Sequence, residues 1–96
     1  MAHRYEFRPP AAKDLFKLTR HDQPLLHALV TEHIPTILRD PYAAGEPKKG
    51  DLAGMRAYDL TVKTVAYRLV VRGENDCVLF IAIGSHDAAY ARAARR

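Results

Sequence analysis

Three residues able to handle a phosphodiester stand close together in the last third of the chain. Arg68 interrupts the apolar run Tyr67-Arg68-Leu69-Val70-Val71-Arg72. His86 follows Ile81-Ala82-Ile83-Gly84-Ser85, and Tyr90 lies one helical turn beyond it. A guanidinium presents a planar cationic fork to phosphate oxygens. An imidazole exchanges a proton near neutral pH. A tyrosine stacks on a base or donates its hydroxyl. These groups together suit cleavage of RNA by attack of a 2′-OH on the adjacent phosphate. That reaction needs a proton acceptor, a proton donor for the leaving 5′-oxygen, and positive charge at phosphorus. It requires neither metal nor small-molecule cofactor. Each residue also has a plainer use. His86 and Asp87 can cap a helix, Tyr90 can pack that helix on a sheet, and Arg68 can pair with Asp59 across a hairpin.

Competing chemistries find less support. His21, His27 and His33 recur every six residues, a spacing that turns successive side chains to different helix faces. With one cysteine and no histidine pair three or four apart, a metal site is not expected. Gly45, Gly50 and Gly54 are too widely spaced for a phosphate loop or a dinucleotide fingerprint. Gly84-Ser85 lacks the frame of a nucleophile elbow.

The 96 residues are expected to form one domain spanning 1–96, and 48% hydrophobic with 27% charged residues suits a globular chain. The longest apolar run, Cys77 to Ile83, is too short to cross a bilayer, so no membrane partner is expected. The first residues carry no apolar leader segment, and the lone Cys77 reads as a small buried hydrophobe. Both features point to the cytoplasm. The net charge is +4. Lys48, Lys49, Arg56, Lys63 and Arg72 form a basic stretch and are the candidate RNA-backbone contacts. Arg92, Arg95 and Arg96 add charge at the other end of the sequence.

Periodicity supplies the elements that must position these groups. Arg4 to Arg8 alternates as a short strand, stopped by Pro9-Pro10. A helix follows to about Thr19, with Ala11, Ala12, Leu15, Phe16 and Leu18 inward and Lys13, Asp14, Lys17 and Arg20 outward. Asp22 caps a second helix carrying Leu25, Leu26, Leu29, Val30, Ile34, Ile37 and Leu38, which Pro35 either kinks or divides. Asp40 to Gly54 reads as loop. Strands are expected near Arg56–Val62, Val65–Arg72 and Cys77–Ile83, with hairpin turns at Lys63-Thr64 and around Arg72–Asp76. A final helix covers Asp87–Arg95, with Ser85 as its cap. The expected fold class is α+β. It has a short N-terminal strand, an antiparallel helix pair, and a short C-terminal helix. A three-stranded antiparallel meander forms one twisted sheet with the helices on one face. Alternation along the second meander strand sends Tyr67, Leu69 and Val71 toward the helices. Arg68, Val70 and Arg72 then face an open, basic side.

The pieces also resemble a known superfamily. Tyr5-x-Phe7 followed by Ala12-x-Asp14-Leu15-x-Lys17-Leu18 is similar to the opening strand and helix of the RelE/ParE toxins of bacterial type II toxin–antitoxin systems. Asp40-Pro41-Tyr42 with Lys49-Gly50-Asp51-Leu52-Ala53-Gly54 resembles their loop, and Tyr67-Arg68-Leu69-Val70 their central strand. Ile83-Gly84-Ser85-His86-x-x-x-Tyr90 resembles the ending of YafQ-like members. The resemblance implies an mRNA interferase, a metal-independent endoribonuclease that cleaves mRNA in the A site of the 70S ribosome. It also implies a cognate antitoxin protein that silences the toxin. The family's strand arginine falls on Arg68, the residue after its glycine turn on His86, and its terminal aromatic on Tyr90. Where founding RelE members carry two lysines, this chain has Asp59 and Thr61, which favours a histidine-based mechanism. ParE-like relatives share the scaffold but poison DNA gyrase without cleaving RNA, and that reading stands as the alternative.

Overall fold

The computed structural model describes residues 4–74 and 76–96, excluding the side chains of Asp51, His86 and Asp87. Five strands form one mixed sheet in the order β1-β5-β4-β3-β2. β1 (Arg4–Phe7) lies parallel to β5 (Cys77–Ser85), pairing Arg4 with Cys77 and Phe7 with Phe80. β3 (Arg56–Val62), β4 (Val65–Glu74) and β5 are the expected antiparallel meander. The segment expected as loop contains a short helix α4 (Pro41–Ala44) and a two-residue strand β2 (Glu46–Pro47) on the edge of β3. It also contains a single 3₁₀ turn at Gly50–Leu52. Asp40 opens α4, where its side chain accepts from the Ala43 N–H at 3.2 Å.

Helix α1 (Pro9–Thr19) buries Ala11 and Asp14 and half-buries Leu15 and Leu18, one stripe at helical spacing. The stripe lies about one residue round from the expected one. Phe16 is 64% exposed, whereas Asp14 is 9% exposed and faces inward. α2 (Gln23–Ala28) starts on Asp22, whose carboxylate accepts from the Leu25 N–H at 3.1 Å. The helix does not break before Pro35. It widens to a π-turn over Leu29–His33 and continues as α3 (Ile34–Arg39). Proline lacks an N–H and would collide with the carbonyl four residues back, and the wider turn relieves both problems.

Two apolar layers flank the sheet. On one face Leu25, Leu29 and Ile37 pack on Leu69, Phe80 and Ile83, with Phe7 stacked on Phe80 at 4.5 Å. The other face was expected to stand open. It is covered by α5 (His86–Arg95) and the Gly50–Leu52 turn, which bury Val70, Leu79, Ile81 and Met55. α5 meets the sheet through Ala89 and Ala93, both essentially fully buried, and such small side chains let the helix approach closely. A bulge adjusts the two central strands. Val70 pairs with Ala82 and Val71 with Phe80, so Ile81 has no partner on β4.

The β3–β4 hairpin closes through Lys63 and Thr64, whose φ angles are +49° and +68°. Positive φ at both positions matches the twist of the flanking strands but suits glycine or asparagine rather than a β-branched residue. Replacing Thr64 with Gly should therefore raise unfolding stability by up to about 1 kcal/mol, read from urea denaturation midpoints at constant m-value. A loss of stability would show that Thr64 makes a compensating contact.

Candidate active site and the groups around it

Arg68 lies in the middle of the sheet, opposite Asp59 on β3 and Gly84 on β5. Its residue surface is only 5% exposed. The carboxylate of Asp59 holds it from one side: Nε–H donates to Oδ1 at 2.5 Å and Nη2–H to Oδ2 at 2.9 Å. That hydrogen bond raises the guanidinium pKa, burial opposes it, and the charges of Asp59, Tyr90 and Glu46 add to the rise. Arg68 is therefore a permanent cation in a dry place. Its Nη1 is buried and has no hydrogen-bond partner among the described residues.

Tyr90, from the second turn of α5, lies against this cation with its ring centroid 4.1 Å from Arg68 Cζ. Lys48 Nζ is 5.2 Å from the same centroid and 4.0 Å from Glu46 Oε2. Two cations thus share one aromatic ring, a favourable arrangement because the π-face is negative. His86 is the first residue of α5, and its neighbour Ser85 pairs with Tyr67 beside Arg68. Its backbone therefore starts from the strand end next to the arginine. Its side chain, and with it the expected imidazole chemistry, lies outside the described residues. Ser85 is the N-cap residue, but its side chain makes no capping hydrogen bond.

The basic residues expected to hold RNA divide by location. Lys48 belongs to the Arg68–Tyr90 cluster. Lys49 is exposed just before the 3₁₀ turn, and Lys63 is exposed at the tip of the β3–β4 hairpin. Arg72 lies four residues along β4 from Arg68, 3.7 Å from Glu74. Arg56 has a different job from the one expected. Its guanidinium donates to the carbonyls of Pro41 (3.2 Å), Gly45 (2.5 Å) and Tyr42, tying α4 to β3. A guanidinium committed to three carbonyls is scaffold, and Arg56 leaves the set of free cations.

Sequence reasoning missed a second polar centre on the far side of α5. β1 stops at Phe7, with the Arg8 N–H donating to Phe80 O at 3.1 Å, but β5 continues to Ser85. The exposed ladder edge is closed by side chains. Arg96 Nη1 donates to Ile81 O (2.9 Å), Arg92 Nη1 to Ile83 O (3.1 Å), and the Ile83 N–H approaches Asp14 Oδ2 (3.4 Å). Arg96 also binds both Asp14 oxygens, at 2.6 and 3.2 Å, while Arg92 lies 3.6 Å away. A Cβ on Gly84 would sit 3.0 Å from Arg92 Nη1, so the missing side chain leaves room for that cation. The one available signal was the spacing 11, 14, 15, 18, which puts Asp14 within the buried stripe.

Comparison with known proteins places the fold. Residues 7–93 match the family model described as ParE-like toxin of type II bacterial toxin–antitoxin system. The chain belongs to the ParE-like toxin family. Among solved structures, it is similar to a chain of the RelBE2 toxin–antitoxin complex of Mycobacterium tuberculosis. There the TM-score is 0.73 and the identity 24%, over 90% of this chain and all of that one. A mutant of the Escherichia coli toxin RelE in the free state aligns at TM-score 0.65 and 25% identity, over 100% of this chain and 98% of that one. YafQ from E. coli aligns at 0.56 and 22%, over 90% and 96%. No curated protein sequence matches.

In this ParE-like toxin the Asp14 centre fixes α5 to the sheet. Burial alone would raise the Asp14 carboxyl pKa, but the Arg96 hydrogen bond and charge, the Ile83 N–H and the Arg92 charge together hold it below its ordinary 3.8. A carboxyl whose pKa is depressed on folding contributes stability above its unfolded value and loses it as pH falls through the folded one. Asp14→Asn should lower stability by about 2–3 kcal/mol at neutral pH. The gap between wild type and variant should narrow as pH drops below 3.8, read from denaturation midpoints across pH. A gap independent of pH would remove the charge from this account.

Proposed function

We propose that this toxin is a ribosome-dependent endoribonuclease that cleaves mRNA in the A site and stops translation. The observation that carries the reading is the Tyr90 ring seated on Arg68 and flanked by Lys48, beside the strand end from which His86 starts. A stacking ring, a desolvated guanidinium and a group that exchanges a proton near neutral pH are the parts that metal-independent cleavage calls for. In the proposed reaction the O2′ nucleophile attacks phosphorus while the P–O5′ bond breaks. One proton leaves O2′ and one reaches O5′. His86 would move one of these protons, Arg68 would oppose the charge growing on the phosphoryl oxygens, and Tyr90 would orient the base or backbone.

Asp59 is the residue that any substrate must reckon with. Its carboxylate occupies two of the Arg68 N–H groups that a phosphate would use. Its side chain is 60% exposed, whereas that of Arg68 is 6% exposed, so the carboxylate is the member of the pair that can move. A scissile phosphate would take the place of the exposed carboxylate on Nε and Nη2, and the buried, unpartnered Nη1 would come within its reach only after that exchange. Lys48, Lys49 and Lys63 would contact the RNA backbone, making ribosome association salt-dependent. The RelBE2 neighbour is a toxin–antitoxin complex, which supports a cognate antitoxin as the partner here. Action on ribosomes places the toxin in the cytoplasm.

The second reading is a ParE-like gyrase inhibitor with no nuclease activity. Two observations favour it: the ParE-like family match and the existing commitment of Arg68 to Asp59. The nuclease reading is tested by primer extension on mRNA from a reconstituted translation reaction. His86→Ala should lower cleavage by about 10²–10⁴-fold while ribosome co-sedimentation persists. Arg68→Lys keeps the charge but loses the fork, and should cost about 10²-fold. Asp59→Asn should leave cleavage equal or faster. Cleavage unchanged in both His86→Ala and Arg68→Lys would move the active site elsewhere.

A further inference from the structure

We infer that the seam between α1 and the C-terminal end of α5 is a second nucleic-acid site, which binds the phosphodiester backbone and is separate from the Arg68 cluster. Two adjoining clefts of about 310 and 340 Å³ meet at Arg96. Asp14, Lys17, Arg92 and Arg95 line one, and Arg8 and Arg72 line the other. The cations come from β1's end, α1, β4 and α5, so distant parts of the sequence converge here. Among the described residues Asp14 is the one side-chain carboxylate in the lining, and Arg96 and Arg92 already neutralise it. Among the described residues Arg8, Lys17 and Arg95 make no ion pair. Arg72 meets the well-exposed Glu74, a weak competitor in water.

The chemistry of the lining selects the ligand. Arginine forks predominate over lysine, which favours phosphate oxygens arranged for paired hydrogen bonds. Among the described residues Leu18, Pro10 and Ile81 are the apolar lining, too few for the aromatic or aliphatic anchors that hold a protein partner. The Asp14 centre makes the seam rigid by fixing both walls to the edge of β5, so a backbone would find its cations in place. Arg72 stands about 13 Å along β4 from Arg68, far enough for the seam to hold a different stretch of nucleic acid from the one at Tyr90. The inference does not depend on the nuclease reading, since a backbone site serves either target.

The test is fluorescence anisotropy with a single-stranded 2′-O-methyl RNA, which cannot undergo 2′-OH attack, titrated across salt concentrations. The variant Arg8→Gln/Lys17→Gln/Arg72→Gln spares the Asp14 centre, and its thermal melt checks folding. It should weaken binding at least tenfold near 0.1 M salt. It should also flatten the log–log salt slope by about 2, from three contacts at about 0.7 each. Arg4→Gln/Arg20→Gln/Arg39→Gln removes the same charge elsewhere and should change both quantities far less. Equal effects from the two variants would reduce the seam to diffuse net charge and overturn the inference. Polyglutamate displacing the RNA at comparable charge concentration would overturn the assignment to a phosphodiester backbone.

Discussion

The constraint on which this structure turns is that β5 is longer than the strand beside it. β1 ends at Phe7, where the Pro9-Pro10 pair begins α1, while β5 runs on to Ser85 through a buried region. Backbone groups left unpaired there would cost about as much as lost hydrogen bonds. Asp14 from α1 and Arg92 and Arg96 at the end of α5 supply what a neighbouring strand would have supplied. One carboxylate and two guanidinium groups thus join the opposite layers of the molecule at the sheet edge. They also fix the azimuth of α5. With Arg92 and Arg96 turned to that edge and Ala89 and Ala93 down on the sheet, Tyr90 comes to rest on Arg68.

The Arg68 cluster therefore depends on distant parts of the chain. The arginine is held in a central strand between Asp59 and the Tyr90 ring, and each neighbour does something different to it. Asp59 keeps it charged and occupied, and Tyr90 shields it from water while adding a favourable π-face. A buried, pre-oriented cation is well suited to stabilise charge that appears only during reaction, because no solvent has to reorganise around it. The carboxylate that occupies it at rest separates a protein holding such a cation from one using it.

Much of this architecture was legible in the sequence because each element has a local cause. Asp22 caps a helix in the usual way, the apolar run from Cys77 to Ile83 is a central strand, and Tyr67-Arg68-Leu69 alternates as a strand must. Arg68 and Tyr90 were visible by residue type, and the structure brings them together. What escaped depends on long-range pairing. Asp14 reads as a surface residue of a helix until β5 is known to outrun β1. Arg56 reads as a free cation until α4 turns three carbonyls toward it. The face of the sheet expected to be open is covered because α5 is rich in alanine, and its ability to approach closely leaves little trace in hydrophobic periodicity. The resemblance to RelE/ParE toxins, by contrast, was carried by order and spacing along the chain, and the family match over residues 7–93 bears it out.

The central claim is that this toxin acts on mRNA in the ribosome. The most direct test adds the wild-type protein in parallel to a ribosomal translation reaction and to a DNA gyrase supercoiling reaction. The account predicts new mRNA 5′ ends at A-site codons only when ribosomes are present, with supercoiling unaffected. Intact mRNA together with blocked supercoiling would contradict it, and would make the Arg68–Asp59 pair a structural bond in a gyrase inhibitor.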